Sequence, residues 1–122
     1  MSEKAEQLKG RTFEFAINIV KLVRGLPTTF EGRRVGGQLF DCGTSVAANY
    51  RAACKARSHA EFIAKIGIVV EADECEFWLD FLVATSIVPE ATIKSHRSEA
   101  SQLSAIFTAS HKTATSHRRA KT

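Results

Sequence analysis

The sequence predicts an all-α fold, an antiparallel up-and-down four-helix bundle. Apolar residues recur at helical spacing, proline and glycine confine the breaks to a few places, and no stretch alternates polar and apolar residues long enough for a half-buried strand. With 122 residues, 44% hydrophobic and 25% charged, the chain suits one domain with its own core, and wholesale disorder is excluded.

The first helix is expected over about residues 3–24, with dense apolar spacing from Phe13. Gly25-Leu26-Pro27 ends it, because proline cannot continue a helix and restricts the residue before it. Thr28 and Thr29 are candidate caps for a second helix from Phe30 or Glu31 to about Lys55. Gly32, Gly36, Gly37 and Gly43 weaken that helix by propensity, but their spacing suits close approach of a neighbouring backbone. Ser58-His59-Ala60-Glu61 has capping-box spacing, with the serine accepting from the Glu61 amide and the glutamate reaching back to the serine amide. A third helix should carry Phe62, Ile66, Val69, Val70, Phe77 and Phe81 on one run and reach about Ser86. Pro89-Glu90 suits the first turn of a fourth helix, whose stripe of Ile93, Ala100, Leu103, Ile106 and Phe107 fades after Ser110. The expected organisation is a bundle over 1–110 and a flexible basic tail over 111–122.

Eight of the eleven residues from Phe13 to Val23 are apolar, more than one core-facing stripe requires. The surplus, Phe15 and Ile19 included, calls either for close wrapping by neighbouring helices or for a second subunit; self-association is the favoured expectation. The third helix carries a second surplus, together with Glu71, Asp73, Glu74, Glu76 and Asp80. At least one of these acids should border the apolar face and need a partner, and a contact from Glu74 to Arg51 or Asn49 is expected.

Charge is strongly segregated. Residues 1–65 hold eleven basic and six acidic residues, net +5; residues 66–110 hold two and seven, net −5; residues 111–122 hold four basic residues and no acid. The candidate nucleic-acid contacts are Arg33, Arg34, Arg51, Lys55 and Arg57, with Lys112, Arg118, Arg119 and Lys121 in the tail. No DNA-reading module is recognisable, so binding would be driven by phosphate contacts and strongly salt-dependent. Solvated helix faces are the competing reading of the same residues.

Motifs for catalysis are missing. There is no Glu-x-x-His, no phosphate-binding GxxxxGK[ST] loop and no GxSxG elbow, and no metal or cofactor is expected. An enzyme using Cys54 or the acidic helix is the remote alternative. Cys42, Cys54 and Cys75 form no CxxC pair; they read as small buried residues in a reducing cytoplasm. The N-terminal decapeptide is polar, and Ile66 to Val70 is too short an apolar run to span a bilayer, so no membrane role is expected.

The stretch from Thr44 to Trp78 carries a family resemblance. Thr44-Ser45-Val46-Ala47-Ala48-Asn49-Tyr50-Arg51, then Ala56-Arg57-Ser58, Glu61-Phe62-Ile63, Glu71-Ala72-Asp73-Glu74 and Phe77-Trp78-Leu79, resembles the four helix bundle protein family. These are small proteins encoded within ribosomal-RNA intervening sequences of some bacteria, and they include the accessory variability proteins of diversity-generating retroelements. The likeness covers about residues 8–109. Members commonly place an acid and a small residue where this chain has Ala52 and Ala53. The resemblance implies a bundle assembled into a ring, typically a homopentamer. For the retroelement branch it implies a basic barrel that binds nucleic acid and a reverse transcriptase. It brings no catalytic residues; Asn49, Arg51, Glu74 and Trp78 match its motif and read as structural. The leading expectation is thus a non-enzymatic oligomeric scaffold for RNA or DNA. The alternative is a protein-interaction module with no nucleic-acid role.

Overall fold

A computed structural model describes the backbone of residues 2–121 and the side chains of residues 2–117. Among these residues there are helices and no strands: α1 (Glu3–Arg24), α2 (Phe30–Cys54), α3 (His59–Val70), α4 (Asp73–Ala84) and α5 (Glu90–Lys121). The segments α3 and α4 are two halves of one arm, so the architecture is a four-helix bundle. Packing runs in a cycle: α1 against α2 and α5, and the α3–α4 arm against α2 and α5. Thus α1 and the α3–α4 arm occupy diagonally opposite corners. Neighbours are antiparallel, as the facing pairs Gly43 with Ile19 and Gly36 with Val23 require.

Local chemistry sets most boundaries. Thr29 accepts a hydrogen bond from Gly32 N at 3.1 Å, and Ser58 accepts one from Glu61 N at 3.1 Å. The Glu61 carboxylate does reach back, but it accepts from Arg57 N at 3.4 Å rather than from the Ser58 amide. The arm ends at Ser86, whose φ of 61° is left-handed. There Ile87 N donates to Leu82 O at 2.9 Å and Ser86 N to Val83 O at 3.0 Å, closing a Schellman motif. The α1–α2 seam is narrow because Gly36 and Gly43 lie directly against Val23 and Ile19 side chains. Gly32 sits closer still to its neighbour, the Pro27 carbonyl.

One expected continuous helix is broken. Glu71 N donates to Ile68 O at 3.1 Å and Ala72 N to Val69 O at 3.0 Å, three-residue bonds that tighten the chain between α3 and α4. The cause lies in the buried series Ile66, Val69, Ala72, Cys75, Leu79 and Leu82. Its first three steps are each three residues long. In a straight α-helix each such step drifts about 60° off the face, whereas a 3₁₀ turn returns to it. Tightening keeps Ala72 and Cys75 in the core and turns α4, so Phe77 and Phe81 point outward, 56% and 38% exposed. Both had been expected on the core-facing run.

Two further expectations are corrected. Phe15 and Ile19 need no second subunit, being 2% and 0% exposed within one copy; the residue left outside α1 is Phe13, at 60%. Nor does the fourth helix fade at Ser110. Ala114 is buried, and it extends the stripe of Ala100, Leu103 and Phe107 at helical spacing. His59 Nε2 lies 2.9 Å from Ala114 O, so this nitrogen carries the proton and donates it.

Candidate nucleic-acid interface

Arg51 sits in the last turn of α2, with Lys55 and Arg57 in the turn that follows, and all three side chains are exposed. The His59–Ala114 bond places the end of α5 against the start of α3 and brings exposed Lys112 to this same end of the bundle. Lys4 joins them. It lines an open groove of about 580 Å³ with Phe62, Ile106 and Ala114. The result is one basic end built from α1, α2, α5 and the α2–α3 turn. Lys4 was visible in the sequence as one of several N-terminal cations, but its place beside the α5 end depends on antiparallel packing.

The other candidates lie elsewhere. Arg33 and Arg34 are exposed in the first turns of α2, and Arg34 lies 5.7 Å from the ring centroid of Phe30 in a cation–π contact. Seventeen residues of helix, about 26 Å, separate Arg34 from Arg51. A single copy therefore does not unite the two basic groups. Arg118, Arg119 and Lys121 have side chains outside the described residues.

Several cations are already engaged. Arg11 donates from Nε and Nη2 to Glu99 at 2.7 Å each, and from Nη2 to Gln102 at 2.8 Å. This two-pronged hydrogen bond pushes the guanidinium pKa up, against a smaller opposing effect of burial. Lys9 lies 3.6 Å from Glu6, and Arg97 pairs with Asp80 at 2.7 Å. Of these, Arg11 and Arg97 tie α5 to α1 and to α4 rather than face a ligand.

The acidic surface belongs to the opposite corner from α1. Helix α4 contains Asp73, Glu74, Glu76 and Asp80 and no basic residue. Phe77, Trp78 and Phe81 form one aromatic cluster there, with ring centroids 4.9 to 6.0 Å apart. The expected contact from Glu74 to Arg51 or Asn49 is absent among the described residues. Glu74 instead accepts a long 3.5 Å bond from Trp78 Nε1, and Asn49 Nδ2 donates to Ser45 O and Oγ, each at 3.0 Å. The acid bordering the apolar face is Glu76, half-buried. Burial and, secondarily, the charges of Asp80 and Asp73 push its carboxyl up from the usual range.

Among the described residues no group of three or more His, Cys, Asp and Glu is placed to hold a metal ion. None of the helices there is long and apolar enough to cross a membrane. The fold and its charge layout thus define a small four-helix bundle with a basic end and a separate acidic, aromatic arm. The family model of the 23S rRNA-intervening sequence protein matches residues 6–109, and the chain belongs to that family. A crystal structure from Bacteroides thetaiotaomicron, described as a protein of unknown function from the S23 ribosomal protein family, is 31% identical. The match covers 89% of this chain and 98% of that one, with a TM-score of 0.81. No curated protein matches the sequence.

Proposed function

We propose that the chain is a non-enzymatic scaffold of the cytoplasm that assembles into a ring of identical copies and binds RNA or DNA through the phosphate backbone. The observation that carries this reading is the pair of outward aromatic surfaces at diagonal corners, Phe13 on α1 and Phe77 with Phe81 on α4. Two different surfaces on one subunit join head to tail, which builds a ring wherever the rotation between copies closes, rather than a twofold dimer. Charge favours the same pairing. Helix α4 carries four acids and no base, while α1 carries five bases and three acids. Each added subunit would repeat Arg51, Lys55, Arg57 and Lys112 around one rim, concentrating a field that one copy of net charge +4 lacks. A homopentamer is the ring size implied by the family resemblance. A reverse transcriptase partner belongs to the retroelement reading, and a neighbouring reverse-transcriptase gene with a repeat pair would select it.

Salt-titrated fluorescence anisotropy with unrelated single-stranded RNA and double-stranded DNA tests the binding. Affinity should fall linearly in log–log form with salt. Replacing Lys55 and Arg57 together by alanine should weaken binding to both and lower the slope by about two. Binding undetectable at low salt, or unaltered by salt, would favour a protein-interaction module without nucleic acid.

A further inference from the structure

Cys75 Sγ lies 2.8 Å from Cys42 Sγ, joining α4 to α2 across 33 residues of sequence. A covalent sulfur–sulfur bond is about 2.0 Å long, so closing the pair asks for a displacement of under ~1 Å. The two thiols differ in access. Both are buried, but Cys75 is wholly enclosed, whereas Cys42 keeps 8% of its surface exposed where it lines an open groove of about 190 Å³ with Ser45, Ile68 and the acids Asp41, Glu71 and Glu74. Cys54 is remote, twelve residues and about 18 Å further along α2.

We propose that Cys42 and Cys75 form a dithiol oxidation site that a small uncharged hydroperoxide converts to an α2–α4 disulfide. The groove admits a molecule of peroxide size, and its three carboxylates repel anionic oxidants such as glutathione disulfide. Cys42 is the thiol reached first. Its sulfur attacks the peroxide O–O bond, forming a sulfenic acid and releasing water, or an alcohol from an alkyl hydroperoxide. Cys75 then attacks the Cys42 sulfur. The S–S bond forms as the S–O bond breaks, and the departing hydroxide takes the Cys75 proton and leaves as a second water. Overall, two thiols lose two electrons and two protons to one peroxide. The hydrogen bond to Cys42, followed by burial, pushes the Cys75 thiol up, so it keeps its proton until the sulfenic acid appears beside it. The bond would bridge the core below the Glu71–Ala72 break.

The test treats the folded full chain with hydrogen peroxide, blocks remaining thiols and maps the non-reduced digest by mass spectrometry. The expected product has lost two hydrogen atoms, links the Cys42 and Cys75 peptides within one chain, keeps Cys54 free and melts at a higher temperature than the reduced protein. Cys54→Ala should react like the parent, while Cys42→Ala and Cys75→Ala should each yield no internal link. Hydrogen peroxide should act faster than glutathione disulfide. Three free thiols after treatment, oxygen addition at Cys42 without a link, or a link through Cys54 would each overturn the assignment. Because the parent and Cys54→Ala report the link directly, failure of a core variant to fold leaves the result readable.

Discussion

The α1–α2 hairpin and the α3–α4 arm solve the same packing problem in different ways. In the hairpin, glycines remove side chains so that two continuous helices approach closely, and the large apolar residues Phe15, Ile19 and Leu39 are all enclosed. In the arm, the helix itself is interrupted and tightened so that residues three apart stay buried. The hairpin encloses Phe15, Ile19 and Leu39 yet leaves Phe13, Phe30 and Phe40 exposed. The arm leaves Phe77 and Phe81 exposed side by side, in one cluster with Trp78 on a helix whose charged residues are all acids. A backbone adjustment that completes the core of one copy leaves outside it the aromatic surface that the proposed ring would use.

The sharpest way to break this contrast is to truncate side chains on the two faces of α4. Leu79→Ala should cost about 3 kcal/mol in urea unfolding, because Leu79 is fully buried, whereas Phe77→Ala should stay within about 0.5 kcal/mol in the separated subunit. Equal losses would mean that α4 is not turned as described. In the hairpin, Gly32→Ala should lose about 2 kcal/mol, since a Cβ there collides with the Pro27 carbonyl. Gly37 faces open space, and Gly37→Ala should gain roughly 0.5 kcal/mol. The end of the arm offers a gain of similar size or somewhat larger. Ser86→Gly relieves a left-handed residue and should add about 1 kcal/mol or slightly less, raising the urea midpoint without altering the slope.

The smallest effect concerns pH. Burial of His96 beside α1 lowers its pKa below the ordinary 6.5, an effect only partly countered by the nearby Asn18 backbone, and its buried Nδ1 has no hydrogen-bond partner. The unfolded chain therefore takes up this proton first as pH falls. The stability contribution of neutral His96 is complete above pH 6.5 and declines from there down to the folded pKa. His96→Gln should flatten the stability profile in that window, read by urea unfolding at a series of pH values. Glu76 runs the opposite way. Its raised folded pKa means that the native state binds the proton first, so falling pH relieves a penalty and Glu76→Gln should be mildly stabilising at neutral pH.

The same comparison explains what was legible in the sequence. The hairpin boundaries follow from Thr29, Pro27 and the glycines, each acting on its immediate neighbours, and the start of α3 follows likewise from Ser58. The break at Glu71–Ala72 has no proline or glycine to announce it. Its only signal is the three-residue spacing of Ile66, Val69, Ala72 and Cys75, easily masked by the larger Val70, Phe77 and Phe81 nearby. The basic site was legible as a set of cations but not as a place. Lys112 joins the end of α2 through a contact between residues 55 positions apart, and Arg33 and Arg34 fall at the other end of a long helix. Continuation of α5 beyond Ser110 was missed because Ala114 is one small apolar residue among polar ones.

Assembly through the expelled aromatic face is tested most directly by sedimentation velocity across a wide concentration range. The parent should sediment as one closed oligomer, and Phe77→Ser with Phe81→Ser should sediment as a monomer that keeps its helical circular dichroism. A parent that remains monomeric at the highest concentration, or a double variant whose oligomer is unchanged, would contradict the role assigned to α4.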